Sequence, residues 1–584
     1  MRLYFQKGFF IMAQIDLSKN HSKAEFKSFK GIDRASPVHS GGLEYISNFR
    51  IGHDGSLTKR CGFEERVRLP FEIRAVHRRS DRSLMALAGS KVYSIDISNN
   101  TYSELAEVSS TTGDASFFTF GQALYLTDSD GIYVIEESGA MAIEGYAPLY
   151  GKDWDPRYMG DTNEKLNILS DHLRISYKIG ASSPSYFYLP FQMASVDAVF
   201  LNGEKRAAGS ASLTSDASKI QSTLSLHEGD TVLFFLSMKT PSSDRSAIMR
   251  CKKASVAGST PTSTAVLFYD GDDSASLFLA RAASPEAVNS CLDIYPCTSS
   301  LYTTLDDRFS VDGGQGEVTA VCSINDRFMI FTEERAFFLV TDGNSSLSLI
   351  AMGVGCLSKR GVSFIGGEPV TVSRGGIFKW KTSSRADGDF SCECISVKVG
   401  DLLPYSFCKG TTLFTSICTD ELFVGDPSDP SGNVLVYSIG ADAWYSFSGI
   451  AAEHFFECSG SVGFIRSSCI YFFDQNATCD TADGKSANIR ARIESSLILC
   501  DPINDKKRLS NVFMLTSKGA SVKLTVTDAE GRDQALYLSD NSSERLGYIE
   551  SRIESVRSRY YSFSIEDSTP KSSSLYSVVL SAAE

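Results

Sequence analysis

Between residues 84 and 97 the chain reads LMALAGSKVYSIDI: an apolar alternation, a Gly-Ser turn, then a second alternation carrying an aromatic. Two-residue periodicity on both sides of a short turn predicts a β-hairpin. The phrase returns as ALYLTDSDGIYVIE (123–136), RFMIFTEERAFFLV (327–340), PVTVSRGGIFKWKT (369–382), ELFVGDPSDPSGNVLVYSI (421–439) and VGFIRSSCIYFFD (462–474). Within each cluster the copies lie roughly 35–55 residues apart, the period of a β-propeller blade of four short strands. The aromatics of the second strands, Tyr93, Tyr133, Phe338, Phe378, Tyr437 and Phe472, are expected between neighbouring blades. An irregular set of hairpins in a sandwich is the alternative reading.

The repeat breaks off between about 150 and 310. There SYFYLPF, VDAVFLNGEK, TVLFFLSM and TAVLFYDGDD read as strands joined by polar turns, which suits one or two small β domains inserted into the propeller. Beyond 480, the stretches KSANIRARIESSLILCD, LSNVFMLTSKGASVKLTVTDAEG and RYYSFSIEDS read as a β-sandwich. The expected organisation is an N-terminal arm and hairpin (1–70), first blades (71–150), insertion (151–310), remaining blades (311–480) and C-terminal sandwich (481–584). The fold class is mainly β, with little helix.

Composition narrows the partners. A length of 584 residues with 42% hydrophobic and 22% charged positions is that of a multidomain globular chain. A formal charge of −13 disfavours a surface built to neutralise many phosphates. The fourteen cysteines are scattered, several in apolar runs such as SSCIYFF and LILCD, and read as reduced core residues. Nowhere do eighteen apolar residues run together, and the first residues, MRLYFQKGFFIMAQ, lack the apolar core of a signal peptide. Synthesis in the cytoplasm is expected, with Met12 as an alternative start.

Chemical motifs are sparse. HExxH, GxGxxG, a Walker loop and GxSxG are all missing, and the chain reads as non-enzymatic, with no cofactor and no metal. Cys392 and Cys394 in SCECIS share a strand face but have no second ligand pair in view. Asp270 to Ser274, DGDDS, is dense in carboxylates yet lacks the sixth-position Gly and the distal Glu of an EF-hand, so it reads as a solvated turn. His454, in the aromatic run AAEHFFEC, reads as a hydrogen-bonded core histidine.

Five segments, in order, resemble the propeller proteins of tailed-phage virions, a set that includes tail-hub and DNA-stabilisation proteins of short-tailed phages. FKGID (29–33) followed by LEYISNFRIGHDGSLTKRCGF (43–63) resembles the family opening, with Asn48, Asp54, Gly55, Leu57, Lys59, Arg60, Gly62 and Phe63 in the matching places. NILSDHLRISYKIGASSPSYFYLPFQMASVDAVFLNGE (167–204) resembles a family segment that ends in Val and Asn-Gly. NDRFMIFTEERAFFLV with GVGCLSKRGVSFIGGEPVTVSRGGIFKW resembles paired blades, DAWYSFSGI a further blade segment, and IRARIESSLILCDPINDKKRLSNVFM the closing sandwich. Arg492 and Ile493 stand where the family has an aromatic, and residues 210–310 match none of its segments.

The resemblance implies a virion structural protein of the neck, tail hub or nozzle, made in the bacterial cytoplasm. It would form a homo-oligomeric ring that contacts portal, adaptor, tail or fibre proteins, with room for DNA to pass without sequence-specific binding. A propeller that binds or cleaves glycans, or a bacterial cytoplasmic scaffold, is the alternative. Asp54-Gly55 predicts a hairpin, Gly62 a second sharp turn, and Phe63 a staple onto the first blade. Lys59 and Arg60 are expected to project from a strand edge, either as protection against aggregation or, with Asn48 and Phe63, as an assembly interface. Under the second reading Arg60→Glu would spare the fold and block assembly.

Overall fold

The computed structural model describes residues 21–583 apart from 36–41, 81, 240–242, 259–261, 272–273, 315, 325–326, 341–345, 383–389, 403–409, 500–505 and 541–545. It is 56% strand and 4% helix. Blade 1 runs Ile73–Arg78, Ser83–Ala88, Lys91–Asp96 and Thr101–Glu107, each strand antiparallel to the last. Similar sheets follow from Ala115 to Ala142, from Lys253 to Ser310, from Ala320 to Met352, from Val362 to Cys394 and from Thr412 to Phe447. The seventh comprises His454–Cys458, Ser461–Arg466 and Cys469–Asp474, and its outer strand is Gly62–Arg68 from the other end of the chain. The inner strands lie side by side in chain order, and that of blade 7 meets that of blade 1. The described residues therefore form a closed seven-bladed propeller.

Blade strands are buried on both faces, so they read as near-continuous apolar runs. In Ser83–Ala88, Leu84 and Ala86 pack with Phe456, Ile465 and Phe472 of blade 7. Met85 and Leu87 point the other way, onto Leu126 and Ile135 of blade 2. Tyr93, Tyr133, Phe338 and Phe472 are buried as expected, while Phe378 and Tyr437 are only half-buried.

All six sequence phrases are the middle hairpins of blades. The seventh, Ala265–Tyr269 with Ser276–Ala282, belongs to blade 3 and corrects the expected boundaries. The insertion is confined to strands between Leu149 and Met238, and 253–310 is propeller. This inserted domain has a five-stranded sheet and the three-stranded sheet Tyr186–Tyr188, Lys219–Ser222 and Ala211–Leu213, closed over Trp154, Tyr177, Phe187 and Phe234.

The N-terminal segment is likewise no separate arm. Phe49–Ile51 and Leu57–Lys59 extend one sheet of the sandwich, and His21–Phe26 pairs with its strand Ser574–Ala583. Leu43–Ser47 joins the other sheet to blade 6 through Ser47 and Ser446, giving one ten-stranded sheet that runs from propeller to sandwich.

Candidate functional site

The hairpin Phe49–Ile51 and Leu57–Lys59 forms with Phe49 opposite Lys59. Asp54 holds its turn by accepting from Ser56 N (3.0 Å) and Oγ (2.7 Å), bonds that also lower its pKa, and Gly55 takes φ +77°. Gly62 makes no second turn of that kind. Its hydrogen stands where a Cβ would lie 1.9 Å from the carbonyl oxygen of Cys479, so a close backbone approach selects glycine.

Lys59 and Arg60 do not project from a strand edge: both are 3% exposed, beside Asn48 and Phe63 at 2%. Arg60 donates Nε to Asn48 Oδ1 (2.8 Å) and Nη1 to Cys61 O (3.0 Å) and Asp480 Oδ1 (2.7 Å). Its Nη2 donates to Ser448 O (3.2 Å) and Asp480 Oδ2 (2.6 Å), and the guanidinium lies over Phe63 and Phe447. Asn48, at φ +58°, donates Nδ2 to Ser448 Oγ and Arg490 O, and its Oδ1 also accepts from Ser448 N. Lys59 donates to Asp567 Oδ1 (3.3 Å) and Thr569 O (2.6 Å) in the sandwich. Phe63 packs edge-on against Phe464 and Tyr471, which staples the hairpin to the last blade and not the first. The four proposed interface residues thus form an internal seam between blades 6 and 7 and the sandwich.

Two concavities with ionisable walls lie at the starts of the inner blade strands. They measure about 690 and about 270 Å³, and Arg74, Lys359, Arg360 and Glu453 line both. Arg74 is fully engaged, donating to the carbonyls of Gly89, Ser110, Thr112 and Gly113 and to Asp128 Oδ1 (2.6 Å). Lys359 pairs with Asp114, and Arg360 donates to Glu453 O (3.0 Å) and Arg74 O (3.3 Å). These cations tie blades 1, 2, 5 and 7 across the axis. Burial, with Glu72 nearby, raises the Glu453 carboxyl.

His454 lines the smaller cavity, and its Nδ1 is buried without a hydrogen-bond partner, so it is not the hydrogen-bonded core histidine expected. Burial first, then Arg360 and Lys253, push its pKa down to about 3, so the ring is neutral near pH 7. Each charge lining these cavities sits at or beside the start of an inner strand, a position visible only once blades are counted correctly.

Cys392 is exposed and Cys394 half-buried on the outer strand of blade 5. No group of three or more His, Cys, Asp or Glu among the described residues is placed to hold a metal ion. In the DGDDS turn Asp270 pairs with Lys252, and 272–273 lie outside the described residues. No helix among the described residues is long and apolar enough to cross a membrane.

No family model and no curated protein matches the chain. Similar solved structures include the WD40 domain of SCAP from fission yeast, at 8% identity and TM-score 0.29, over 71% of this chain and 98% of that one. Another is BBS1N in complex with ARL6DN, at 9% identity and TM-score 0.35, over 72% and 98%. A chain of the Mitotic Checkpoint Complex is similar at 8% identity and TM-score 0.33, over 68% and 86%. Likenesses at this level have no bearing on activity.

Proposed function

We propose that the chain is a structural subunit of a tailed-phage particle, at the neck, tail hub or nozzle, acting through protein contacts and without catalysis. The observation that carries this reading is the fusion of propeller and sandwich into one body by a continuous ten-stranded sheet and a buried polar seam. Such a body transmits force without hinging. The sequence stretch that resembles the family opening is the same stretch that builds the seam, so the resemblance rests on residues with a mechanical role. In a ring of subunits the contacts to portal, adaptor, tail or fibre proteins fall on blade and sandwich loops, because the seam residues are buried. Any DNA would pass through the ring of subunits, since Arg74, Lys359 and Arg360 bridge blades 1, 2, 5 and 7 across the propeller axis.

The test is to induce the lysogen that carries the gene, purify particles on a density gradient and locate the chain by mass spectrometry and electron cryomicroscopy. Repeated copies around the tail axis are expected. Absence from intact particles overturns the proposal.

A further inference from the structure

In the inserted domain, Tyr186–Tyr188 is an edge strand whose side chains alternate: Phe187 is fully buried, while Tyr186 and Tyr188 are 44% and 41% exposed. Alternation puts the two tyrosines on one face, about 7 Å apart along the strand. Register places Gln221 directly opposite Tyr186 and Lys219 opposite Tyr188, with Ser212 next across from Gln221. Gln221 and Ser212 are exposed, and the Lys219 ammonium lies 4.6 Å from the centre of the Tyr188 ring. This outward face therefore sets two aromatic rings beside an amide, a hydroxyl and an ammonium.

We propose that this face binds a pyranose oligosaccharide, with Lys219 favouring chains that carry carboxylates. A pyranose has a C–H face that stacks on an aromatic ring and a rim of hydroxyls that needs donors and acceptors at its side. The sheet supplies both, in two adjacent ring-plus-polar pairs. Tyrosine suits the task because it is apolar across its face and polar at its tip. Lys219 forms no ion pair among the described residues, which leaves its charge available to a carboxylate on the glycan.

A peptide added as a further strand fits less well, because the backbone at Tyr188 is already engaged. Its N–H donates to Pro156 O (3.1 Å), and its carbonyl accepts from Tyr177 OH (2.6 Å). A protein docked by an apolar core also fits poorly, because every ring on this face neighbours a hydrogen-bonding group. The site is independent of the assembly role proposed above and stands or falls separately.

Titration of the full chain with maltohexaose, hexa-N-acetylchitohexaose and hexagalacturonate, followed by calorimetry and saturation-transfer NMR, tests the site. Binding of at least one hexasaccharide is expected, with hexagalacturonate tightest. Tyr186→Ala and Tyr188→Ala should each weaken it by about tenfold, roughly the loss of one aromatic contact. Both changes together should abolish binding while leaving circular dichroism and melting unchanged. Lys219→Met should remove the preference for the acidic chain only. Tyr537→Ala, at a tyrosine 83% exposed on the sandwich, is the control and should change nothing. Failure to bind any of the three at millimolar concentration overturns the proposal, as does binding that survives the double substitution or is lost equally in the control.

Discussion

All the N–H groups of Arg60 and both polar ends of Asn48 find partners inside the chain, so the cost of burying a charge is met by complete hydrogen bonding. Removing the guanidinium leaves Asp480 and Asn48 short of donors in a desolvated seam. Arg60→Leu should therefore cost about 3–5 kcal/mol, read as a lower urea midpoint, and Arg60→Glu should impair folding itself instead of assembly alone. Asp480→Asn in the Arg60→Leu background should add less than it costs by itself, since the two side chains act as a pair. His454 gives a second residue-scale expectation. Its folded pKa of about 3 lies below the ordinary histidine value, so between those limits the unfolded chain binds the extra proton. Its stabilising contribution is complete above about pH 6.5 and is lost as pH falls toward 3, by at most about 1.4 kcal/mol per pH unit. From pH 7 to pH 4 the urea midpoint of the natural chain should fall relative to that of His454→Phe. A constant difference would mean that folding does not lower the pKa of this ring.

Elements were legible where their signal was local. The six hairpin phrases, the Asp54-Gly55 turn and the sandwich strand Ser521–Asp528, whose residues alternate half-buried and buried, carry their periodicity within a few residues. Blade 3 has an equally clear middle hairpin, but its outer edge is split into Leu301–Tyr302 and Arg308–Ser310, and the inserted strands before it have a similar composition. The repeat period was therefore lost there. Long-range pairing was illegible for a different reason. The closing strand Gly62–Arg68 meets Cys469–Asp474, and Lys59 and Arg60 meet acids 508 and 420 positions away. A basic pair after a turn reads as exposed because unpaired charges avoid the interior, and no local pattern announces a distant carboxylate. The cavity-lining cluster was missed because its members come singly, one or two to an inner strand. The exposed tyrosines read in sequence only as part of a strand, since alternation alone does not say which face is solvated.

At the scale of the molecule, the inserted domain and the sandwich are attached in opposite ways, although both read in sequence as appendages. The inserted domain begins with Leu149–Trp154 and ends with Thr231–Met238, which flank the same strand, His172–Lys178, so its ends are about 14 Å apart. It has its own buried core, and it meets the propeller through Ile168 and Leu169, which are buried in the core of blades 2 and 3, and through Phe235 against Tyr295. The sandwich shares its largest core with blades 5 to 7 and supplies Asp567, which is completely buried against Lys59. Replacing 149–170 and 171–238 has different consequences: a short Gly/Ser linker in place of 171–238 that keeps Ile168 and Leu169 should leave a propeller and sandwich that melt together, whereas one that replaces all of 149–238 should melt at a clearly lower temperature, because it empties their places in the core of blades 2 and 3. Ending the chain at residue 489 should be far worse. It removes the strands that cover Leu43, Ile46 and Leu57, leaves Lys59 without its acid, and exposes the edge of Leu43–Ser47 in the shared sheet. The truncated chain is expected to aggregate on expression, and hydrogen exchange on any soluble fraction should show the closing strand Gly62–Arg68 unprotected. A soluble truncated chain with that strand still protected would show that the propeller closes by itself, and the rigid coupling on which the proposed mechanical role rests would fail with it.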